Sequence, residues 1–483
     1  MRKHLFFMAA LLLVACSSQE TKAVTFDPTV RYSREVINAR MTNWKNKSDA
    51  VGFPNANSTN GSTTPGSAAS WDYVPGVVAK GILDCWEYYQ DSTWAEAWYN
   101  GLSIWALSKT AKNTGGSLDD LNCTKVFFGV YDGCKPGGKY ENSTNAAYCM
   151  TQMGRGADGL EDHKSKYSIS GTSSTADGGW YHKSNYGNQM WCDGAYMGPA
   201  LLAQLLAYGV STTLTWSDVM TQFTSSWGGL WDSSAELLWH CFSTDKSTGG
   251  ASGWYYAPGL EKQGGGYHSA EYWGRADGWY IMALVDVLEA MEKAGKTGDA
   301  DFLVIQSYLK QLAAGLVKRQ DATSGCWYQL LQYDDSKCAT RGVDATGSST
   351  YKNSNPQCNY LESSGSCLIT AALFKGLRLG YLSNVESGQN IKEAAKKGYE
   401  GIINNFLSGS EGTYQLTSSC QSAGLGSDRN GTAAYYLIGK DVPIQNDSEG
   451  KVLGAFLMAA VEYERAYPPA AAGACGCINI SVE

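Results

Sequence analysis

The sequence predicts an all-α chain, and three observations predict it. Apolar residues recur at helical spacing in segment after segment. Strand-like alternation is short and rare. Turns built from Gly and an aromatic residue separate the helical stretches.

A helical pattern starts near Arg34, where "VINARMTNW" is amphipathic, and a Gly/Ser/Asn/Thr loop follows at 52–70. Further helices are expected at 74–90, 94–112, 118–132, 193–209, 216–224, 272–293, 300–319, 365–383, 391–407 and 450–466. No helix is expected between 132 and 193. The segment "ADGWYIMALVDVLEAMEKAG" shows the pattern: Ile281, Leu284, Val285, Val287 and Leu288 form one stripe, and Gly295 ends it. The turns are "GGWYHK" (178–183), "GGLWDSS" (228–234), "SGWYY" (252–256), "GCWYQ" (325–329) and "GTYQL" (412–416). Gly permits the turn, and the aromatic follows directly. Their spacing is uneven, so this is no strict repeat. Two readings stand: simple aromatic-capped turns, or equivalent turns that gather aromatics at one end of a ring of helix pairs.

The 483 residues allow a large core. Charged residues make up only 17%, while 16 Trp and 30 Tyr suit flat ligands such as sugars. A net charge of −8 without a basic run excludes a nucleic-acid partner. The start, "MRKHLFFMAALLLVACSSQ", has a basic head and an apolar stretch too short to span a bilayer. It reads as a bacterial lipoprotein signal over 1–15, with lipid on Cys16 and a polar tether over 16–30. The other reading is plain secretion with an unmodified Cys16. A single domain is expected over 31–470, with a short tail at 471–483. The chain is then exported and held at a membrane only through its lipid, in the periplasm or at the cell surface, as a monomer. Cys123, Cys134 and Cys149 cluster, as do Cys326, Cys338, Cys358 and Cys367, and both groups are expected to staple loops. Cys85 and Cys192 lie in apolar segments and read as small hydrophobes.

Polar chemistry gathers in a few places. "YHKSNYGNQMWCDG" supplies His182, Lys183, Gln189, Trp191 and Asp193. "LLWHCFS" carries His240, "YWGRADGWY" carries Trp273, Arg275 and Trp279, and "GSLDDLN" carries Asp119 and Asp120. Asp193 stands out because its neighbours are apolar or aromatic. Desolvation raises a carboxyl pKa, and a carboxyl near neutrality can give and then take a proton. An N-cap role is the alternative for Asp193, and also for Asp119, since "SLDDL" looks like a helix start. Lys183 and Arg275 are candidate carboxylate clamps. No HExxH, EF-hand loop, paired CxxC or phosphate loop is present, so neither a metal nor a cofactor is expected.

From about residue 33 to 467 the chain resembles the unsaturated rhamnogalacturonyl hydrolases, glycoside hydrolase family 105. The likeness rests on "WDYVPGVVAKGIL", "SLDDLNCTKVFFGVYD", "HKSNYGNQMWCDGAYMGPALLAQ", "WGRADGWYIMALVDVLE", "NYLESSGSCLITAALFKGLRLGYL" and "SAGLGSDRNGTAAYYL", in that order. It implies an (α/α)6 barrel of six helical hairpins with its site at one mouth. It also implies a substrate, an acidic oligosaccharide ending in a 4,5-unsaturated uronate, and a reaction that hydrates the double bond. By this resemblance Asp193 is the general acid/base, and Asp119 the assisting carboxylate, with adjacent Asp120 the other choice. His182, Lys183, His240 and Arg275 become contacts to the uronate or its hydroxyls. Trp191, Trp273 and Trp279 become sugar-facing aromatics, and Tyr73 a further contact. Departures are Ala276 and Asp277, and long segments at 134–178 and 242–270. Asp277 would add negative charge near an anion site unless it faces away. Two rivals remain: an unsaturated glucuronyl hydrolase of related fold, and a non-catalytic glycan-binding lipoprotein.

Overall fold

The computed structural model describes residues 23–44, 71–90, 92–170, 176–245, 267–339, 357–426, 429–439, 442, 444–445 and 450–468. The expected signal over 1–15, Cys16, residues 52–70, and Cys475 and Cys477 near the C-terminus lie outside the described residues. In chain order the helices are α1 (Tyr32–Trp44), α2 (Tyr73–Tyr88), α3 (Thr93–Leu107), α4 (Leu118–Asn122) and α5 (Val126–Cys134). Then come α6 (Ser143–Lys166), α7 (Cys192–Met197), α8 (Pro199–Ala207), α9 (Trp216–Leu230) and α10 (Gly274–Lys293). The last are α11 (Ala300–Lys318), α12 (Ser363–Arg378), α13 (Ile391–Phe406), α14 (Ala433–Ile438) and α15 (Gly450–Ala466).

Helices α10, α12 and α15 are buried along almost their whole length. A helix apolar all round belongs inside, not on a surface. They form an inner ring with α2, α5 and α8, each packing on the next, and the 3-10 turn Cys123–Lys125 joins α5 to α8. Helices α1, α3, α6, α9, α11 and α13 pack outside that ring. The result is the (α/α)6 barrel, and the expected all-α class holds. Glycine lets the inner helices meet closely: a Cβ on Gly81 would come within 2.8 Å of the Gly454 carbonyl.

Neighbouring inner helices run parallel. Arg275 meets Ser364 at one end of α10 and α12, and Asp286 meets Lys375 near the other. All their N-termini therefore open on one mouth and all their C-termini on the opposite one. A cavity of about 600 Å³ lies at the C-terminal mouth, where Lys375 Nζ sits 2.7 Å from Asp286 and 2.6 Å from Glu289. Between the two ends the bore is filled. Tyr196 and Trp279 pack ring to ring at 4.8 Å, both fully buried. From the far side Lys125 Nζ donates to the Tyr196 carbonyl at 2.6 Å and lies 3.5 Å over its ring.

Several expectations change. Residues 143–166 form α6, the longest described helix, where no helix was expected. Its buried stripe, Ala146, Cys149, Met153, Ala157 and Leu160, has helical spacing, but all except Leu160 are small or sulfur side chains. Gly156 and Gly159 lie on the same face, and a Cβ there would strike Thr124 at 2.6 Å and Leu121 at 2.5 Å. The close packing that requires those glycines also conceals the helix in the sequence. Residues 118–132 break into α4, the 3-10 turn and α5. Residues 193–209 break at Pro199, which opens α8, because proline lacks the donor a continuous helix needs.

Cys123, Cys134 and Cys149 staple no loops; they are buried thiols in helical segments. Of the second cluster, Cys338 and Cys358 form a disulfide, while Cys326 and Cys367 are buried thiols. Cys85 and Cys192 are buried, as small hydrophobes would be. No described helix is long and apolar enough to cross a membrane.

Candidate active site

The site lies at the N-terminal mouth of the inner ring, and two local pairings build it. The first is an antiparallel bridge between Ser117 and Lys183, reinforced by the Leu118 N–H donating to the His182 carbonyl at 3.1 Å. It sets the first turn of α4 against His182 and Lys183. Asp119 there lies 2.7 Å from Lys183 Nζ and 3.3 Å from His182 Nε2. Asp120 points elsewhere, to Lys112 at 3.5 Å, and is half exposed. Of the adjacent aspartates it is therefore Asp119 that joins the cluster, and neither caps α4 with its side chain.

The second pairing is a strand, Gln189–Trp191, antiparallel to Cys241–Ser243 with Trp191 opposite Cys241. The Cys192 N–H donates to the His240 carbonyl at 3.1 Å. The strand runs straight into α7, so Asp193 in its first turn meets His240, with 3.3 Å between Oδ2 and Nε2. Asp193 does not cap α7; the residue at the cap is Trp191. Helix α7 also presses on His182, since a Cβ on Gly194 would lie 3.2 Å from His182 Nδ1. Each carboxylate is thus paired with its own imidazole, Asp119 with His182 and Asp193 with His240.

Aromatic rings hold the imidazoles. Trp191 stacks on His182 at 5.4 Å and on Tyr186 at 4.9 Å, and meets His240 edge-on at 4.9 Å. Trp273 closes on the other side of His240 at 4.7 Å. Tyr73 opens α2 at the same mouth. Trp279 is not brought there; it packs on Tyr196 deeper in the bore. Arg275 is buried and turned toward backbone. Its Nη1 donates to the Cys420 carbonyl at 2.6 Å and to Ser364 Oγ at 3.1 Å, and its Nη2 to the Gln421 carbonyl at 3.4 Å.

Electrostatics separate the groups. Burial alone would raise the Asp193 carboxyl; the His240 imidazole beside it, helped by His182 and Arg275, outweighs burial and holds the carboxyl below its ordinary value. The expectation from burial alone is reversed because the aromatic shell also positions an imidazole. Burial lowers His182 despite Asp119, so its ring rests neutral. Burial opposes the charge of Lys183, but Asp119 prevails and raises it. Asp277 is fully buried, with Oδ1 accepting from the Leu238 N–H at 3.0 Å, and burial pushes its carboxyl far up. Burial thus opposes a negative charge on Asp277.

Three residues absent from the sequence reading join the site. Tyr436 on α14 has its hydroxyl 2.6 Å from His240 Nδ1. Gln329 accepts from Trp273 Nε1 at 3.0 Å and donates to the Tyr436 carbonyl at 3.2 Å. Glu362 caps α12 and accepts from the Cys420 N–H at 2.9 Å, which places the carbonyl that Arg275 uses. The signal for Glu362 was present as a helix start in "YLESSGS". Gln329 ends the turn "GCWYQ" and Tyr436 lies in "SAGLGSDRNGTAAYYL", but nothing local to either segment singles them out. No group of His, Cys, Asp and Glu suited to a metal occurs among the described residues.

An (α/α)6 barrel with acid carboxylates, imidazoles and aromatic rings gathered at one mouth defines a carbohydrate-active hydrolase. The chain belongs to Glycosyl Hydrolase Family 88, whose pattern matches residues 51–170, 162–354 and 350–467. Among solved structures it is similar to a glycoside hydrolase from family 105 of C. acetobutylicum. That likeness is 26% identical, covers 90% of this chain and 100% of the other, and has a TM-score of 0.63. The fold is shared with the unsaturated glucuronyl hydrolase of Bacillus sp. GL1, responsible for the degradation of glycosaminoglycan, at 14% identity and a TM-score of 0.54 over 90% of this chain and 96% of that one. Protein Atu3128 of Agrobacterium fabrum is 29% identical over 199 residues, 40% of this chain and 72% of its own length.

Proposed function

We propose that the chain removes a 4,5-unsaturated galacturonyl unit from the non-reducing end of lyase-generated rhamnogalacturonan fragments. The observation that carries this reading is a pair of carboxylates, each set against an imidazole, with Trp191 packed on both rings: Asp119 lies 3.3 Å from His182 and Asp193 lies 3.3 Å from His240. In this reading Asp193 protonates C4 of the double bond and then takes a proton from the water that adds at C5. The hemiketal so formed opens to a ketone, and the neighbouring sugar leaves with its oxygen reprotonated. The substrate carboxylate brings negative charge beside Asp193 and pushes its carboxyl upward, toward a form that can donate. Lys183 and Asp119 hold each other and orient the uronate or its hydroxyls. Trp191 and Trp273 supply the aromatic walls. Arg275 acts through the backbone at 420–421. The N-terminal sequence supports export with lipid on Cys16, which mass measurement of the mature N-terminus tests.

The test is the loss of ultraviolet absorbance of the conjugated uronate, with unsaturated rhamnogalacturonan disaccharide and wild type beside Asp193→Asn. Decay in wild type alone is expected. Decay only with glucuronyl substrates moves the substrate assignment to that class. No decay with either overturns the hydrolase reading in favour of a glycan-binding protein.

A further inference from the structure

The His240 imidazole has no freedom left except at its two nitrogens. Trp191 and Trp273 pack on the ring, which is fully buried. Nε2 faces Asp193 Oδ2, and Nδ1 faces the Tyr436 hydroxyl. A neutral imidazole carries one proton, so one nitrogen donates and the other accepts. The tautomer therefore decides what Asp193 meets. We propose that Tyr436 is a positioning residue: its hydroxyl donates to His240 Nδ1 and so keeps the imidazole proton on Nε2, aimed at Asp193.

The case rests on accounting for every proton. Tyr436 is fully buried, and its hydroxyl makes one hydrogen bond among the described residues, the one to His240. With the proton on Nε2, the tyrosine proton is used on Nδ1, and the Nε2–H lies 3.3 Å from Oδ2 without a formed hydrogen bond, an attractive contact where a bare nitrogen would face the carboxylate lone pair to lone pair. With the proton on Nδ1, the tyrosine would accept, and its own proton would lie buried with no acceptor. Buried donors without partners are disfavoured, so the first arrangement holds.

Its consequence for Asp193 concerns which oxygen carries the acid proton. An N–H facing Oδ2 favours negative charge on that oxygen over a proton. The transferable proton then sits on Oδ1, away from His240. In the opposite tautomer, a protonated Asp193 would donate its proton to Nε2 and withhold it from a ligand. This proposal rests on the reading of Asp193 as the general acid. Gln329 supports the arrangement by tying the Tyr436 backbone to Trp273, the other wall of the imidazole. The charged and titratable groups around the pair are Asp193, His182, Arg275, Glu271, Tyr435 and Cys241.

Two measurements on the full chain separate this proposal from the reading it rests on. The first is independent of activity: imidazole nitrogen NMR of histidine-labelled protein, with His240→Gln to assign the signals. The sequence holds only 5 histidines, so the spectrum is simple. Wild type is expected to show His240 protonated at Nε2 and bare at Nδ1, and Tyr436→Phe a mixture of tautomers. A wild type protonated at Nδ1, or a variant identical to wild type, overturns the proposal even if turnover is high. The second is kinetic. Tyr436→Phe is expected to lower kcat roughly 10- to 100-fold with KM within about twofold. The opposite tautomer also stabilises protonated Asp193, so the alkaline limb of kcat/KM is expected to move to higher pH as its plateau falls. A loss of rate without that movement reduces Tyr436 to packing and overturns the proposal. A wild type inert on every unsaturated substrate overturns the hydrolase reading, and the NMR result still decides Tyr436.

Discussion

Asp193 Oδ2 and His240 Nε2 stand 3.3 Å apart, although 47 residues and a helix-strand excursion separate them in sequence. The pair sets the direction of pH dependence. His240 holds the Asp193 carboxyl low, so only a small fraction of the free enzyme carries the proton at neutral pH. A general acid works only while protonated. The kcat/KM for an unsaturated uronide should therefore rise as pH falls from about 8 to about 5. A profile that rises toward alkaline pH would assign Asp193 the role of base alone.

Asp119 and Asp120 give the sharpest contrast between neighbours. Asp119 is fixed by Lys183 and His182, whereas Asp120 reaches the exposed Lys112. Asp119→Asn is expected to cost roughly 100-fold or more in kcat/KM, the scale of a positioned acid/base partner. Asp120→Asn should stay within about twofold, since an exposed pair contributes little. Steady-state rates of the two variants decide between them.

Among the described residues, Arg275 bonds to groups on α12 and at 420–421. Arg275→Ala is expected to lower both Tm and kcat, because it leaves buried carbonyls without their donor. Kinetics beside thermal unfolding check this. A variant with raised KM and unchanged Tm would return the guanidinium to a direct role on the substrate.

At the opposite mouth, Asp286 is fully buried and bonded to Lys375. Burial would raise its carboxyl, but Lys375, with Lys80 and Lys125, pulls it down to about 2. A depressed carboxyl contributes stability that is present above the unfolded pKa of about 3.9 and is lost as pH falls through the folded one. Acid unfolding between about pH 4 and pH 2 should therefore be shallower in Asp286→Asn, measured by circular dichroism. At neutral pH, Lys375→Met strands the carboxylate and should cost about 3–5 kcal/mol in denaturant unfolding.

The sequence made the inner helices legible because they are apolar all round, and the site legible because Asp193, His182 and Lys183 sit within a dozen residues. What it concealed has physical causes. Helix α6 hid behind glycines chosen for close packing. Adjacent residues such as Asp119 and Asp120 point to different sides of a helix, and only the bridge to Lys183 selects one. Trp279 shares a helix start with Trp273, yet its deeper position sends it into the bore. Tyr436 meets His240 across 196 residues, a contact with no local signature.

Tyr196, Trp279 and Lys125 close the bore between the two mouths. A sugar chain cannot pass through packed side chains, so the barrel has two separate ends, and what enters at the mouth of Asp193 must leave by the same door.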